Sequence, residues 1–596
     1  MKSGALSRLA PYLGKFKGRL TLAIITAIIG TIFTILTPRI MGYATTILFE
    51  GVKDKKWLDA GAPAFTLGGF AVNKVYAIIL VLLATLILTL LAWVFSMIAN
   101  ATLAAVSAGV VKQLRKDIQA KMHRMKLDYY DTRTNGEILS VITNDVNAVN
   151  LLLGQCFYQI ITQIITAVGI LIMLFSINLW LALIAVAVVP LTLLAAGGVM
   201  KASSINFSKQ QDLLGDLNGY VEESYNGQNV ITSFNYQERA KSKFTKMNEE
   251  LRDKSFKAEA NAGYVLPITQ MVNGIGVAVS ALVGCILALR GIIPIGNVQA
   301  ALQYTENFQQ PFTSFAEMAG QISSASAATK RIFELLDAEE EIPDPADGKV
   351  PTKTDGSVDF KHVQFGYVPG KLLMTDVNVH VEPGQKIAIV GPTGAGKTTL
   401  INLLMRFYEI NGGEIWVDGV NSKEMTRAEL RKHFGMVLQD TWLFEGTIKD
   451  NLKYSTSREV TDEEIEEATK SVCADTFIHT MPGGYNMMLS KGAENISQGQ
   501  RQLLTIARAI IADPEIMILD EATSNVDAHT EQIIQKAMAT LMKGRTSFVI
   551  AHRLSTIRDA AVILYMENGD IKEVGDHDTL MKLNGKYATL YNSQFG

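Results

Sequence analysis

The sequence predicts an α-helical membrane domain of six spans fused to an α/β domain built on a phosphate-binding loop. Three observations carry this. Of 596 residues, 48% are hydrophobic and only 19% charged, against about 25% charged in a soluble globular chain. The apolar residues form long runs up to residue 325 and short bursts between charges after residue 358. Residues 387–399 read IAIVGPTGAGKTT, a buried strand entering a glycine-rich turn. The length suits two or three domains. A net charge of −3 supplies no global basic field, so no nucleic-acid partner is expected. Cys156, Cys285 and Cys473 lie far apart, have neither zinc nor disulfide spacing, and are expected as buried small hydrophobes.

The first domain is placed at 1–337. A span needs about 20 predominantly apolar residues, and the segments 19–47, 74–106, 152–176, 179–200, 264–289 and 292–320 qualify. Pro38 and Pro311 fall inside the first and last, which neighbouring helices tolerate by covering the freed backbone groups. Spans three and four are joined by little more than Ser176-Ile177-Asn178, and five and six by Arg290-Gly291. The connections 107–151 and 201–263 are long and free of proline. Structureless loops of that length are uncommon, so they read as helices continuing out of the bilayer. Lysine and arginine concentrate before the first span and in the two long connections. That bias places both termini and both connections in the cytoplasm of a cell-membrane protein, with Lys53, Lys55 and Lys56 dissenting. Leu6, Leu9, Leu13, Phe16 and Leu20 recur at helical spacing and suit an amphipathic helix on the inner membrane face.

The stretch 338–357 holds prolines and acids and reads as a linker. The second domain is placed at 358–596. Its phosphate loop runs from Gly391 through Thr393 and Gly394 to Gly396, Lys397, Thr398 and Thr399. In this motif backbone N–H groups close around the phosphates of a nucleotide, the lysine adds a point charge, and the hydroxyl of Thr398 faces Mg²⁺. In IMILDE (516–521) four apolar residues predict a strand buried on both faces. Asp520 emerges at its carboxyl end, placed to hold Mg²⁺ through water, and Glu521 is placed to polarise an attacking water.

Residues 496–508 read ISQGQRQLLTIAR. Together with the phosphate loop, Gln439 in VLQD, Asp520-Glu521, Asp527 in SNVD and His552 in AHR, this resembles the ATP-binding cassette (ABC) family in both order and spacing. The resemblance implies an α/β P-loop ATPase domain with ATP and Mg²⁺ as cofactors. It implies that Tyr367 stacks on adenine and that Gln439 senses the γ-phosphate and Mg²⁺. It also implies that His552 holds the attacking water's geometry, and that Ser497, Gly499, Gln500 and Asp527 face a nucleotide on a second cassette. One cassette per chain then implies a dimer. The family's usual LSGGQ is here Ile496-Ser497-Gln498-Gly499-Gln500, while Glu521 and His552 are intact. That combination resembles one half of a heterodimeric bacterial multidrug exporter; a variant within a homodimer is the alternative. By the same resemblance, 129–144 and 222–234, with Gly136 and Gly227, are coupling helices.

Polar residues inside spans are costly and each raises a functional question. Gln299, Gln303, Glu306 and Gln310 fall on one face of the sixth span, and Gln155, Gln159 and Gln163 on one face of the third. Either they line a wet cavity, where Glu306 attracts cationic amphiphiles, or they bond between helices. ATP-driven export of hydrophobic small molecules leads. A lipid flippase and an ATP-gated channel share the architecture.

Overall fold

The computed structural model describes residues 5–53, 65–67, 70–72, 74–438, 441–456, 458–520, 527–551 and 554–595. It divides into two units, Met1–His123 with Arg133–Ala338, and Arg124–Thr132 with Glu339–Gly596.

The first unit is helical. Its main elements are α1 (Lys17–Lys53), α2 (Lys74–Met122), α3 (Phe157–Ile177), α4 (Leu179–Asn226), α5 (Gln237–Gly263), α6 (Val265–Leu289), α7 (Ile295–Asn307) and α8 (Gln310–Leu336). Among the described residues, five helical stretches are long and apolar enough to cross a membrane: Lys17–Glu50, Val75–Met122, Asn135–Ile177, Leu179–Asn226 and Gln237–Leu289. The long connections are helical. At 1.5 Å per residue, α2 and α4 each run about 70 Å, more than twice the thickness of a bilayer core. Large side chains such as Leu82, Leu86, Leu90 and Trp93 face outward from α2, while Ala92, Ala99, Leu103 and Val106 face inward. A lipid solvent permits this inversion of the usual distribution.

The sixth expected span is corrected. It is not one helix: α7 ends at Asn307 and α8 restarts at Gln310 with Pro311 in its first turn. Proline lacks an N–H and fits a helix start better than an interior. Pro38, by contrast, stays inside α1. Near it, the Ile35 carbonyl accepts a hydrogen bond from the Tyr304 hydroxyl at 2.7 Å, so a neighbouring helix supplies a partner to the backbone the proline perturbs.

The crossing of α1 and α7 is built on glycine. A Cβ on Gly296 would stand 1.7 Å from the Gly42 carbonyl oxygen, and one on Gly42 2.4 Å from the Gly296 oxygen. The Gly296 N–H also donates to Thr46 Oγ1 at 3.1 Å. Such small-residue contacts replace the hydrophobic effect as the drive for helix association in lipid. Gly296→Ala is expected to force the two backbones apart and cost about 1–3 kcal/mol, read as a lower unfolding temperature of the detergent-solubilised protein.

The apolar side of the N-terminal segment is partly covered by protein, with Leu6, Leu13, Phe16 and Leu20 half-buried. Leu9 is buried, the Tyr12 hydroxyl donates to Asp117 at 2.9 Å, and Arg8 both pairs with Asp337 and lies 4.1 Å from the Phe333 ring centre. Of the cysteines only Cys156 is buried. Cys285 lies on an outward face of α6, and Cys473 sits at φ 58° in the turn after the helix Asp462–Ser471, where the chain reverses at the surface.

The second unit is an α/β domain. The strands of its two main sheets are β1 (Val358–Phe365), β2 (Met374–Val381), β3 (Lys386–Val390), β4 (Gly412–Val417), β5 (Val420–Asn421), β6 (Phe434–Val437), β7 (Ile516–Asp520), β8 (Thr546–Ile550), β9 (Val562–Glu567) and β10 (Asp570–Gly575). The first sheet has the order β2-β1-β4-β5 and is antiparallel. The second has the order β10-β9-β3-β8-β7-β6 and is parallel apart from β10. Alternation along β7 explains its unbroken apolar run. Ile516 and Ile518 join the core shared with the antiparallel sheet, and Met517 and Leu519 join a second core with helix α10 (Gln498–Ala512). A parallel strand covered on both faces needs apolar residues at every position.

The acids at 339–344 are docked, not loose. Glu339 pairs with Lys126, and Glu340 with Arg124 at 3.0 Å. Arg427, nearly buried, donates to Asp344 Oδ1 at 2.7 Å, the Ile342 carbonyl at 2.7 Å and Glu409 at 2.6 Å. Glu409 is shared with the equally buried Arg406 at 2.9 Å. Residues 124–132, with their short helix Leu127–Asp131, thus group with the second unit although their sequence lies within the first.

Candidate active site

Four parallel strands stop in one row. Ile389 of β3 pairs with Ile550 of β8, Ile550 with Asp520 of β7, and Leu519 with Val437 of β6. Open α/β sheets bind ligands beyond such carboxyl ends. The chain after β3 is the phosphate loop. It delivers Gly396, at φ 100°, to the N-cap of helix α9 (Lys397–Leu404). A side chain would strain that left-handed conformation, which sharpens the entry of the helix and leaves its first N–H groups pointing at the loop.

Lys397 opens α9. Its Nζ donates to the carbonyls of Gly391 at 2.8 Å and Pro392 at 3.0 Å. Burial pulls its pKa down, opposed by the nearby Asp520 carboxylate. Thr393, Gly394 and Thr398 are exposed along the loop, and Asp520 stands half-buried at the end of β7. The cluster therefore joins one ammonium, one carboxylate, a free-facing hydroxyl and a helix N-terminus. Such a set has the chemistry to bind and polarise a polyphosphate and to hold a divalent cation.

Tyr367 sits beside this loop. Its hydroxyl lies 3.0 Å from Thr399 Oγ1, and its ring meets those of Phe365 and Tyr408 edge-on at 4.9 and 5.1 Å. The Tyr408 hydroxyl donates to the Asp131 carboxylate. Burial, then that bond, pushes the phenol's pKa up. A cavity of about 220 Å³ opens here, lined by Lys126, Asp128, Tyr367, Arg406, Tyr408 and Glu409 among others. The aromatic shelf was legible in the sequence as Tyr367 alone; Tyr408 and the 124–132 segment were not.

The other site residues lie elsewhere in the unit. Ser497 caps α10 through a reciprocal pair, its Oγ accepting from the Gln500 N–H at 3.3 Å while Gln500 Oε1 accepts from the Ser497 N–H at 2.9 Å. Gly499 is buried and Gln498 is the first helical residue. Asp527 caps α11 (Ala528–Met542), accepting from the N–H groups of His529 at 3.1 Å and Thr530 at 3.0 Å. Those bonds hold its carboxyl below the usual range. Among the described residues no hydrogen bond joins Ser497, Gln500 or Asp527 to the phosphate loop. Gln439, Glu521 and His552 lie outside the described residues.

In the first unit the polar faces are partly satisfied. Gln299 accepts from the Thr45 hydroxyl, and Gln163 Nε2 donates to Ser314 at 3.3 Å. Gln303 is half-buried, and Gln155, Gln159, Glu306 and Gln310 are exposed. The sequence reading passed over two polar groups in apolar runs. Gln309 is buried and bonds Thr192. Arg39 lies inside the first span; a cation in such a run was the missed signal.

Comparison with known proteins agrees with this geometry. Residues 20–312 match the ABC transporter transmembrane region, and residues 374–524 match the ABC transporter family model. A Mycobacterium tuberculosis (strain CDC 1551 / Oshkosh) protein described as a fatty acid ABC transporter ATP-binding/permease protein is 40% identical over 612 residues, covering 98% of this chain and 95% of the relative. YfiC of Bacillus subtilis (strain 168), an uncharacterized ABC transporter ATP-binding protein, is 37% identical over 592 residues, covering 99% and 94%. YheH of the same organism, a probable multidrug resistance ABC transporter ATP-binding/permease protein, is 34% identical over 495 residues, covering 82% and 72%. The chain belongs to the ABC transporter family, as a multi-pass membrane protein that joins an exporter-type membrane domain to a cassette whose ATP hydrolysis is coupled to transport.

Proposed function

We propose that this chain is one half of a dimer that uses Mg-ATP to export hydrophobic or amphipathic compounds across the cytoplasmic membrane by alternating access. The observation that carries the reading is the separation of two helix starts within one cassette: Lys397 opens one and Ser497 caps the other, with no hydrogen bond between them among the described residues. Two cassettes facing head to tail would close each phosphate loop with the other chain's Ser497, Gly499, Gln500 and Asp527. In this reading Tyr367 stacks on adenine, Lys397 and the loop from Gly391 to Thr399 hold the phosphates, and Mg²⁺ is held by Thr398, Gln439 and, through water, Asp520. Glu521 polarises the attacking water and His552 orients it. The altered signature at Gln498 favours a heterodimer with a second half-transporter, and the lysine and arginine bias favours cytoplasmic termini. Nucleotide shifts the equilibrium because it binds the closed dimer better than the open one.

Grouping of residues 124–132 with the cassette supports the reading of 129–144 as a coupling segment. The face carrying Gln299, Gln303 and Glu306 is the substrate-facing choice on α7. Lipid transport is a second reading, favoured by the fatty acid relative at 40% identity.

The test is ATP turnover and cargo movement by the purified assembly in vesicles, alone and with its partner half. Glu521→Gln is expected to lower turnover by about 10²- to 10⁴-fold while nucleotide binding persists. Equal turnover and equal cargo movement by both forms would remove the reading.

A further inference from the structure

Arg39 lies within the first apolar span, on α1. Its Nη1 is buried and has no hydrogen-bond partner, and among the described residues no carboxylate pairs with its guanidinium. A cation in hydrocarbon is costly, and a buried unpaired N–H adds to the cost. Both are relieved when an anion arrives.

Beside it stand the Tyr304 phenol, which feels its charge, and an apolar groove. Ile32, Ile35, Leu36 and Arg39 follow at i, i+3, i+4 and i+7 and share one face of α1. The first three, with Ile165, Val168 and Ile172 of α3, line a groove of about 410 Å³ walled almost wholly by hydrocarbon, within the size range of small-ligand sites. On the other side, α7 meets α1 at Gly296–Gly42 and again at Tyr304–Ile35. The stretch of α7 between those contacts passes the level of Arg39 and carries Gln299 and Gln303. Gln299 is already engaged by Thr45. Glu306 is two residues, about 200° of helix, past Tyr304 and so turned from α1.

We infer that the α1–α3 groove and Arg39 form a binding site for a single-chain amphiphile with a carboxylate head, the acyl chain lying along the groove and the carboxylate meeting the guanidinium. Arginine suits a carboxylate through two parallel N–H bonds. The inference rests on the transport reading and narrows its cargo from hydrophobic compounds in general to anionic ones.

The experiment uses the full-length protein, with its partner half where one is required, in phosphatidylcholine nanodiscs. Binding and ATPase stimulation are measured with oleate, oleyl alcohol and oleylamine. Oleate is expected to bind saturably and most tightly. Arg39→Gln weakens oleate by about 10-fold or more, the worth of one charged hydrogen bond. Arg39→Lys recovers part of the lost affinity, oleyl alcohol is unchanged in either variant, and basal ATPase is unaltered. Equal binding of oleate and oleyl alcohol, preference for oleylamine, or an unaffected Arg39→Gln would overturn the site. Absence of saturable oleate binding would show the bilayer's own phospholipid filling the groove and would overturn it too. Should Arg39→Gln not fold, the wild-type preference among the three ligands and its persistence in Arg39→Lys decide. Loss of ATP-driven movement of every amphiphile would instead sink the transport reading.

Discussion

Lys397→Ala is expected to abolish measurable turnover, with ATPase activity falling by at least about two orders of magnitude, the scale of losing one preorganised donor to a developing charge. Among the described residues the lysine is the only ammonium in the cluster at the end of β3, and it stands in range of Asp520. Its current partners are two carbonyls of its own loop. Exchanging them for phosphate oxygens requires only side-chain rotation, because the backbone that presents it is fixed by Gly396 and the helix behind. The substitution should leave the fold intact, since Lys397 ties no distant element. Circular dichroism and melting of the purified protein are therefore expected to match wild type while nucleotide-analogue binding weakens. Retained turnover would mean that the loop does not hold the reacting phosphates.

Arg427→Ala carries the largest expected loss of stability. Its guanidinium is nearly buried and satisfies Asp344, Glu409 and the Ile342 carbonyl together. Removing one partner of a buried charged network costs about 3–5 kcal/mol. Arg406 still faces Glu409 at 2.9 Å and Asp344 at 3.9 Å, so the loss lies at the lower end of that range and falls on Asp344, which keeps that long contact and the backbone N–H of residue 427 at 3.0 Å. The effect should appear as a lower melting temperature and as faster proteolysis near 339–344. Arg427→Lys should recover only part, since one ammonium cannot reproduce the fork.

Much of this was legible in the sequence, for physical reasons. The phosphate loop and the strand before it combine a local turn requirement with a burial pattern, and both are written in consecutive residues. The apolar runs likewise announce spans because lipid demands them residue by residue. Where the reading stopped, the determinant was non-local. The acids of 338–357 look like a solvated linker until Arg124, Lys126 and Arg427, distant in sequence, are brought to them. Pro311 was taken as tolerated inside a span, whereas a helix restart accommodates it at less cost. Arg39 was overlooked because the surrounding run is apolar enough to hide one cation. Cys473 was misplaced because its left-handed turn depends on where the preceding helix ends.

The nine residues Arg124–Thr132 bear on how the soluble half can be studied. A fragment excised at 339 for work in water would keep Tyr408, Glu339 and Glu340 but leave behind Asp131, Lys126 and Arg124, which engage them. Such a fragment would present a raw scar beside the Tyr367–Tyr408 aromatic shelf, and its handling of nucleotide would misreport the intact machine. Grafting the missing nonapeptide back, through a tether or in trans, would restore the unit that residues 124–132 complete.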